Sequence, residues 1–118
     1  MFKIKTKRIY EEPKAEDGYR VLVDRLWPRG ISKEATRLDE WDKLVAPSTG
    51  LRKWFGHKPE LFEAFKERYA EELKDQATEL KRLKAIVDKQ DLCLLYAAKD
   101  PEVNHAVVLA AILKKIKS

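Results

Sequence analysis

The sequence predicts an α/β fold: a single domain over residues 1–118, with a small, mostly parallel central sheet flanked by helices. Three observations predict it. Two dense apolar runs, 19–26 and 92–98, have the length and composition of buried strands. Stretches with a helical apolar period separate and follow them. The chain, at 118 residues, has room for one ordinary core and not for two.

Each element has its own warrant. Phe2 to Ile9 alternates apolar or β-branched residues with basic ones, the period-2 pattern of a half-exposed strand, and its lysines suit a sheet edge. A turn-rich stretch from Glu11 to Gly18 leads to Tyr19–Leu26, which reads as a central strand. Trp27-Pro28-Arg29-Gly30 must end it, because Pro28 has no N–H for the ladder and Gly30 tolerates positive φ. Ser32 is placed to cap a short helix. Leu38 to Val45 is ambiguous between strand and helix and is assigned here as strand. Ser48 caps a short helix carrying Leu51, Trp54 and Phe55, which Gly56 stops. Pro59 suits the first position of the next helix. Leu61, Phe62, Phe65, Tyr69 and Leu73, then Ala77, Leu80, Leu83 and Val87, follow at helical spacing, as one long helix or two broken near Asp75. Leu92–Ala98 is uninterrupted and apolar, as in a strand covered on both faces. Asp100 and Pro101 resemble an N-cap and first turn, opening a final helix whose terminal lysines complement its dipole.

Composition narrows the function classes. The chain is 44% hydrophobic and 38% charged, which fits a folded domain with an ordinary polar surface. No apolar run approaches the roughly 20 residues of a membrane helix, and the opening residues alternate where a signal peptide has an apolar block. A cytoplasmic location is the expectation, and the lone Cys93 agrees with a reducing compartment. Net charge is +5, which favours anionic partners. Between Glu60 and Lys89, however, the two signs are mixed, as on solvated helix faces.

The chemistry is expected where the two apolar strands end. If they lie parallel in one sheet, Asp24–Gly30 and Ala98–Pro101 emerge at the same edge, where ligands of open α/β sheets gather. That edge holds Arg25, Arg29 and Lys99 beside the start of the last helix, a combination suited to a phosphate or carboxylate. Trp27 and Asn104 join them as candidate ligand-binding residues. His105 and Asp24 are the candidate catalytic pair, the histidine because it can donate, accept or carry a proton near neutral pH. Each has a plainer alternative. The arginines can form surface ion pairs, Trp27 can pack at the rim, Asp24 can orient an arginine, and His105 can tie loop to helix. His57 can close the short helix before it. Two distant histidines and a strand cysteine have no metal-ligand spacing, so no metal is expected. There is no P-loop or dinucleotide fingerprint, so no cofactor is expected either. Cys93 reads as core, and so do Trp54, Phe55, Phe62, Phe65 and Tyr69.

Three segments together carry a family resemblance: Gly18 through Gly30; Ala46-Pro47-Ser48 with Leu51 through His57; and Leu95 through Asp100 with Asn104-His105-Ala106. They resemble the YeaO-like proteins, a domain-of-unknown-function family of short bacterial chains, over nearly the whole length. The resemblance implies an α/β fold and a cytosolic bacterial or archaeal origin, with no established activity. Longer relatives of the wider family carry a Cys-His-Arg triplet after the last strand. Asn104-His105-Ala106 stands there in this chain, so His105 is comparable whereas the thiol and the arginine are absent. A transcription-regulator label on some members implies nucleic-acid binding, but no turn here is flanked by an exposed recognition helix.

The first reading is therefore a protein that holds a small anionic ligand at the strand ends, with or without catalysis. The alternative is a nucleic-acid-binding or regulatory module using a basic surface that includes Arg52, Lys53 and Lys58. A third reading is a protein-interaction domain in which the polar turn is structural. A concave site with converging Arg25, Arg29 and His105 favours the first, and a convex basic face favours the second.

Overall fold

The computed structural model describes residues 2–117, so the two outermost residues of the expected 1–118 unit lie outside the described residues. Four strands, β1 (Ile4–Arg8), β2 (Tyr19–Leu22), β3 (Glu40–Trp41) and β4 (Leu92–Tyr96), form one sheet in the order β1-β4-β2-β3. Every pairing is parallel: Ile4 faces Leu92, Tyr19 faces Leu92 across the other side of β4, and Val21 faces Glu40. The lysine-bearing strand is thus an edge, and the two apolar runs are the inner, adjacent pair.

The period-2 geometry of the strands divides their side chains between two cores. On one face Ile4, Val21, Leu92, Leu94 and Tyr96 pack against the helices α2 (Thr49–Phe55), α3 (Phe62–Leu73), α4 (Ala77–Ile86) and α5 (His105–Lys115). Phe65, Tyr69, Leu83, Leu109 and Leu113 supply the helical side, and the Tyr69 hydroxyl donates to the Val45 carbonyl. On the other face Leu22, Cys93 and Leu95 meet Ile9, Trp27, Ile31, Leu38 and Trp41. This second layer is mostly loop, with the four-residue α1 (Lys33–Thr36) as its helical piece. Arg20 is buried there, paired with Asp17 at 2.6 Å and donating to the Thr36 carbonyl.

Most boundaries follow the local chemistry. Ser32 and Ser48 accept N–H groups from Ala35 and Leu51, each at 3.1 Å, and Gly56 ends α2 in the left-handed region at φ 53°. Pro59 opens a 3-10 turn that runs into α3, and a second 3-10 turn at Lys74–Gln76 separates α3 from α4. Gly18, at φ 79°, admits no side chain, since a Cβ there would stand 2.3 Å from the Asp91 carbonyl oxygen.

Three expectations are corrected. Leu38–Val45 forms only the two-residue β3 before Asp42 caps a 3-10 turn over Lys43–Val45. The β2 ladder stops at Leu22 and does not continue to Leu26, because Asp24 and Arg25 turn their side chains to other segments. The last helix begins at His105. Asp100 accepts the N–H groups of Glu102 and Val103 in a tight loop, and Asn104 caps the helix by accepting from Val107 at 3.0 Å.

Candidate functional site

Because β1, β4 and β2 are parallel and adjacent, the segments that follow them leave the sheet on the same side. Between these segments, α2 with the turn after it, and the start of α5 lies a cleft of about 700 Å³. All seven residues singled out at the strand ends line it: Asp24, Arg25, Trp27, Arg29, Lys99, Asn104 and His105. The strand-end turns proposed from the sequence therefore meet in space.

Asp24 and His105 sit side by side in this wall. One Asp24 oxygen, Oδ2, accepts the Ala97 N–H at 3.0 Å and so ties the end of β2 to the end of β4. The other, Oδ1, lies 3.1 Å from His105 Nε2 and is shielded from water. The same Nε2 is 3.0 Å from the Val23 carbonyl. Both neighbours are acceptors, so Nε2 carries the proton, directs it to the carbonyl, and leaves Oδ1 as a close anionic neighbour without a directed hydrogen bond. The Tyr69 ring stands edge-on to the imidazole at 6.2 Å.

The loop after β2 is held from several directions. Arg25 Nε donates to the Pro47 carbonyl at 2.9 Å and its Nη2 to that of Ala46 at 3.2 Å. Trp41 Nε1 donates to the Asp24 carbonyl, Trp27 Nε1 to that of Ile31, and the Tyr10 hydroxyl to that of Arg29. Trp27 also meets Trp41 edge-on at 5.3 Å. With its backbone fixed in this way, the loop presents the exposed Arg29 side chain on a rigid support.

The seven residues differ in what they offer a ligand. Arg29 and Lys99 are exposed and make no side-chain hydrogen bond or ion pair among the described residues. Arg25 is half-buried and partly engaged by carbonyls. Asn104 is buried, with its amide used at both ends: Oδ1 accepts from Val107 and Nδ2 donates to the Asp100 carbonyl. Its position is explained by capping α5.

The sequence reading missed other members of the wall. Arg8 ends β1, donates to the Ala97 and Ala98 carbonyls, and lies over the Tyr10 ring at 4.5 Å. A basic residue at the end of a third parallel strand is the signal that would have found it. Arg52, His57, Phe55 and Phe65 also line the cleft. They come from α2, the turn after it and α3, and no local pattern places those elements over the strand ends.

An acidic group stands apart from the cleft. Glu40, Asp42 and Glu79 bring carboxylate oxygens within 4.8 Å of one another. Arg82 Nη2 lies among them, 2.5 Å from Glu40, 3.3 Å from Asp42 and 2.6 Å from Glu79, so a guanidinium occupies the place a cation would take. Burial and the neighbouring Glu79 push Asp42 up to about 7, while hydrogen bonds from Arg82 and Asp42 hold Glu79 down at about 2.

Fold and site together define a parallel α/β protein with a basic cleft at the carboxyl ends of its strands. A family model described as the inactive DUF488-N3 subclade matches residues 3–117, and the chain belongs to that family. It is 50% identical over 113 residues to the protein named Uncharacterized protein YeaO of Escherichia coli, covering 96% of this chain and 98% of that one. It is 42% identical over 111 residues to Uncharacterized protein Mb3100c of Mycobacterium bovis and to Uncharacterized protein Rv3073c of Mycobacterium tuberculosis, covering 94% of this chain and 93% of each relative. No solved structure gives a significant match to the chain. No helix among the described residues is long and apolar enough to cross a membrane.

Proposed function

We propose that the cleft binds a small phosphate- or carboxylate-bearing anion, in a protein of the bacterial cytoplasm. One observation carries the reading. Five cationic side chains, Arg8, Arg25, Arg29, Arg52 and Lys99, line one concave surface, and among the described residues none lies within ion-pair distance of a carboxylate. The buried Arg20, by contrast, has Asp17. Asp24 and Asp100 also line the cleft, but the five cations outnumber them, so the net positive lining favours an entering anion. A guanidinium adds a planar fork that fits a carboxylate or phosphate edge.

Arg29 and Lys99 meet the anion, and Arg25 and Arg8 set the potential from fixed positions. His105, with Asp24 behind it, is the group available to move a proton. Binding without turnover is the preferred form of the proposal: the family description contains the word inactive, and the chain has neither thiol nor arginine beside His105.

A thermal-shift screen of phosphate, nucleotides and organic acids on wild type and Arg29→Ala tests this. An anion-dependent rise in melting temperature, reduced in the variant, is the expected result. No shift in wild type removes the binding reading, and equal shifts in both remove Arg29 from the site. Retention of a DNA oligonucleotide that weakens steeply with salt and ignores Arg29→Ala would replace the proposal with nucleic-acid binding on the wider basic surface.

A further inference from the structure

We infer that the anion taken by this cleft is organic and amphipathic: one terminal phosphate or carboxylate on an apolar body. The inference rests on the anion-binding reading above and adds the ligand class. Three features of the cleft lead to it.

The first is size. A cleft of about 700 Å³ lies within the range of cavities that hold drug-sized organic ligands, roughly 300–1,000 Å³, and a lone oxyanion would fill a small part of it. The second is the make-up of the accessible lining. Arg29, Arg52 and Lys99 are exposed, and so are Leu26, at 59%, and Tyr10, at 39%, with Trp27 half-buried in the same lining. Charge and accessible carbon therefore stand side by side in the lining. The third is the state of the inner polar groups. Asp24 Oδ2 is taken by Ala97, His105 Nε2 by Val23, Arg25 Nε by Pro47, and Asn104 by its cap. The inner wall thus holds a carboxylate, which repels a second anionic group, and the apolar surface left to be covered is that of Tyr10, Leu26 and Trp27. A ligand with one charged end matches this arrangement, with its charge at Arg29, Arg52 and Lys99 and its hydrocarbon against Tyr10, Leu26 and Trp27.

Calorimetric titration of the full chain with inorganic phosphate, phenyl phosphate and phenol tests the inference, with acetate and benzoate as the carboxylate pair. Phenyl phosphate over phosphate, or benzoate over acetate, is expected to bind at least about tenfold tighter, because the ring is buried as well as the charge. Phenol is expected to bind more weakly than its phosphate ester. Arg52→Ala and Lys99→Ala, both at exposed positions that leave the core intact, should weaken the preferred organic anion severalfold.

Equal affinity for the simple and the ring-bearing anion, both weakened by these variants, overturns the amphipathic ligand and leaves the anion site standing. Equal affinity for phenol and phenyl phosphate shows an apolar pocket with no charge recognition and overturns both. No binding by any probe also overturns both.

Discussion

At the scale of single residues, Asp24 shows how one carboxylate serves fold and site together. Its Oδ2 receives the Ala97 N–H, the donor left over where the β4 ladder ends, and its Oδ1 faces His105. Replacing it with alanine leaves that N–H without its acceptor and takes the negative neighbour from the imidazole. Asp24→Ala is expected to cost about 1–3 kcal/mol in urea unfolding. A stability equal to wild type would show that water replaces the carboxylate at Ala97. Cys93 makes the opposite case, a reactive atom with no access. It is 1% exposed in the second core, and burial pushes its thiol up to about 11. Iodoacetamide at pH 8 is expected to leave the folded protein unmodified and to label it once urea is added, and rapid labelling of the folded chain would place the thiol nearer the surface.

At the scale of elements, the start of α5 decides the position of His105. The sequence offers two polar candidates for the cap, Asp100 and Asn104, and local preference alone does not separate them. The choice falls on Asn104 because Asp100 closes the preceding loop through Glu102 and Val103, and Asn104 then ties helix to loop with both ends of its amide. His105 therefore becomes the first helical residue, with its ring against the end of β2. Asn104→Ala is expected to lower stability by about 1–2 kcal/mol, read from the urea midpoint at unchanged slope. It should also weaken anion binding by displacing His105 and the Lys99 loop. If stability falls while binding is unchanged, the cap belongs to the fold alone. The β1, β2 and β4 segments were legible because period-2 alternation and dense apolar runs are local signals. β3 was overestimated because its two residues are held by pairing with Val21 and Leu22 and by the following 3-10 turn, neither of which a linear pattern records.

At the scale of the whole molecule, the Glu40, Asp42, Glu79 and Arg82 group joins the β3 edge to α4 and sets a pH dependence. Asp42 is raised by burial and by Glu79 to about 7, above its ordinary value of 3.8. Its stabilising contribution is complete below 3.8 and is lost as the pH rises through about 7. Glu79 runs the other way. Lowered from 4.5 to about 2, it contributes above 4.5 and loses that contribution as the pH falls toward 2. The pair therefore stabilises most between these limits, and the Asp42 part declines toward neutral pH. Asp42→Asn keeps an oxygen for the Leu44 N–H and offers Glu79 an amide donor in place of the shared proton. Its melting temperature should match wild type near pH 5 and exceed it at pH 8. A variant less stable than wild type at pH 8 would show that the ionised carboxylate is held favourably by Arg82.

The sequence by itself determined most of the element types, the inner and edge positions of the strands, most of the caps, the family, and the charged turns that follow the apolar strands. These follow from near-neighbour chemistry: side-chain period, capping, the backbone limits of glycine and proline, and a charged turn after an apolar strand. Only the tertiary structure decided that β2 and β4 are adjacent and parallel, that the strand-end residues share one cleft wall, that Arg8, Arg52, Phe55 and Phe65 complete the cleft, and that Asn104 and not Asp100 caps α5. Those outcomes depend on groups far apart in the chain competing for the same acceptors and the same buried space. Asp24 and Ala97, 73 residues apart, are joined by one hydrogen bond, and no local pattern in the sequence specifies that pairing.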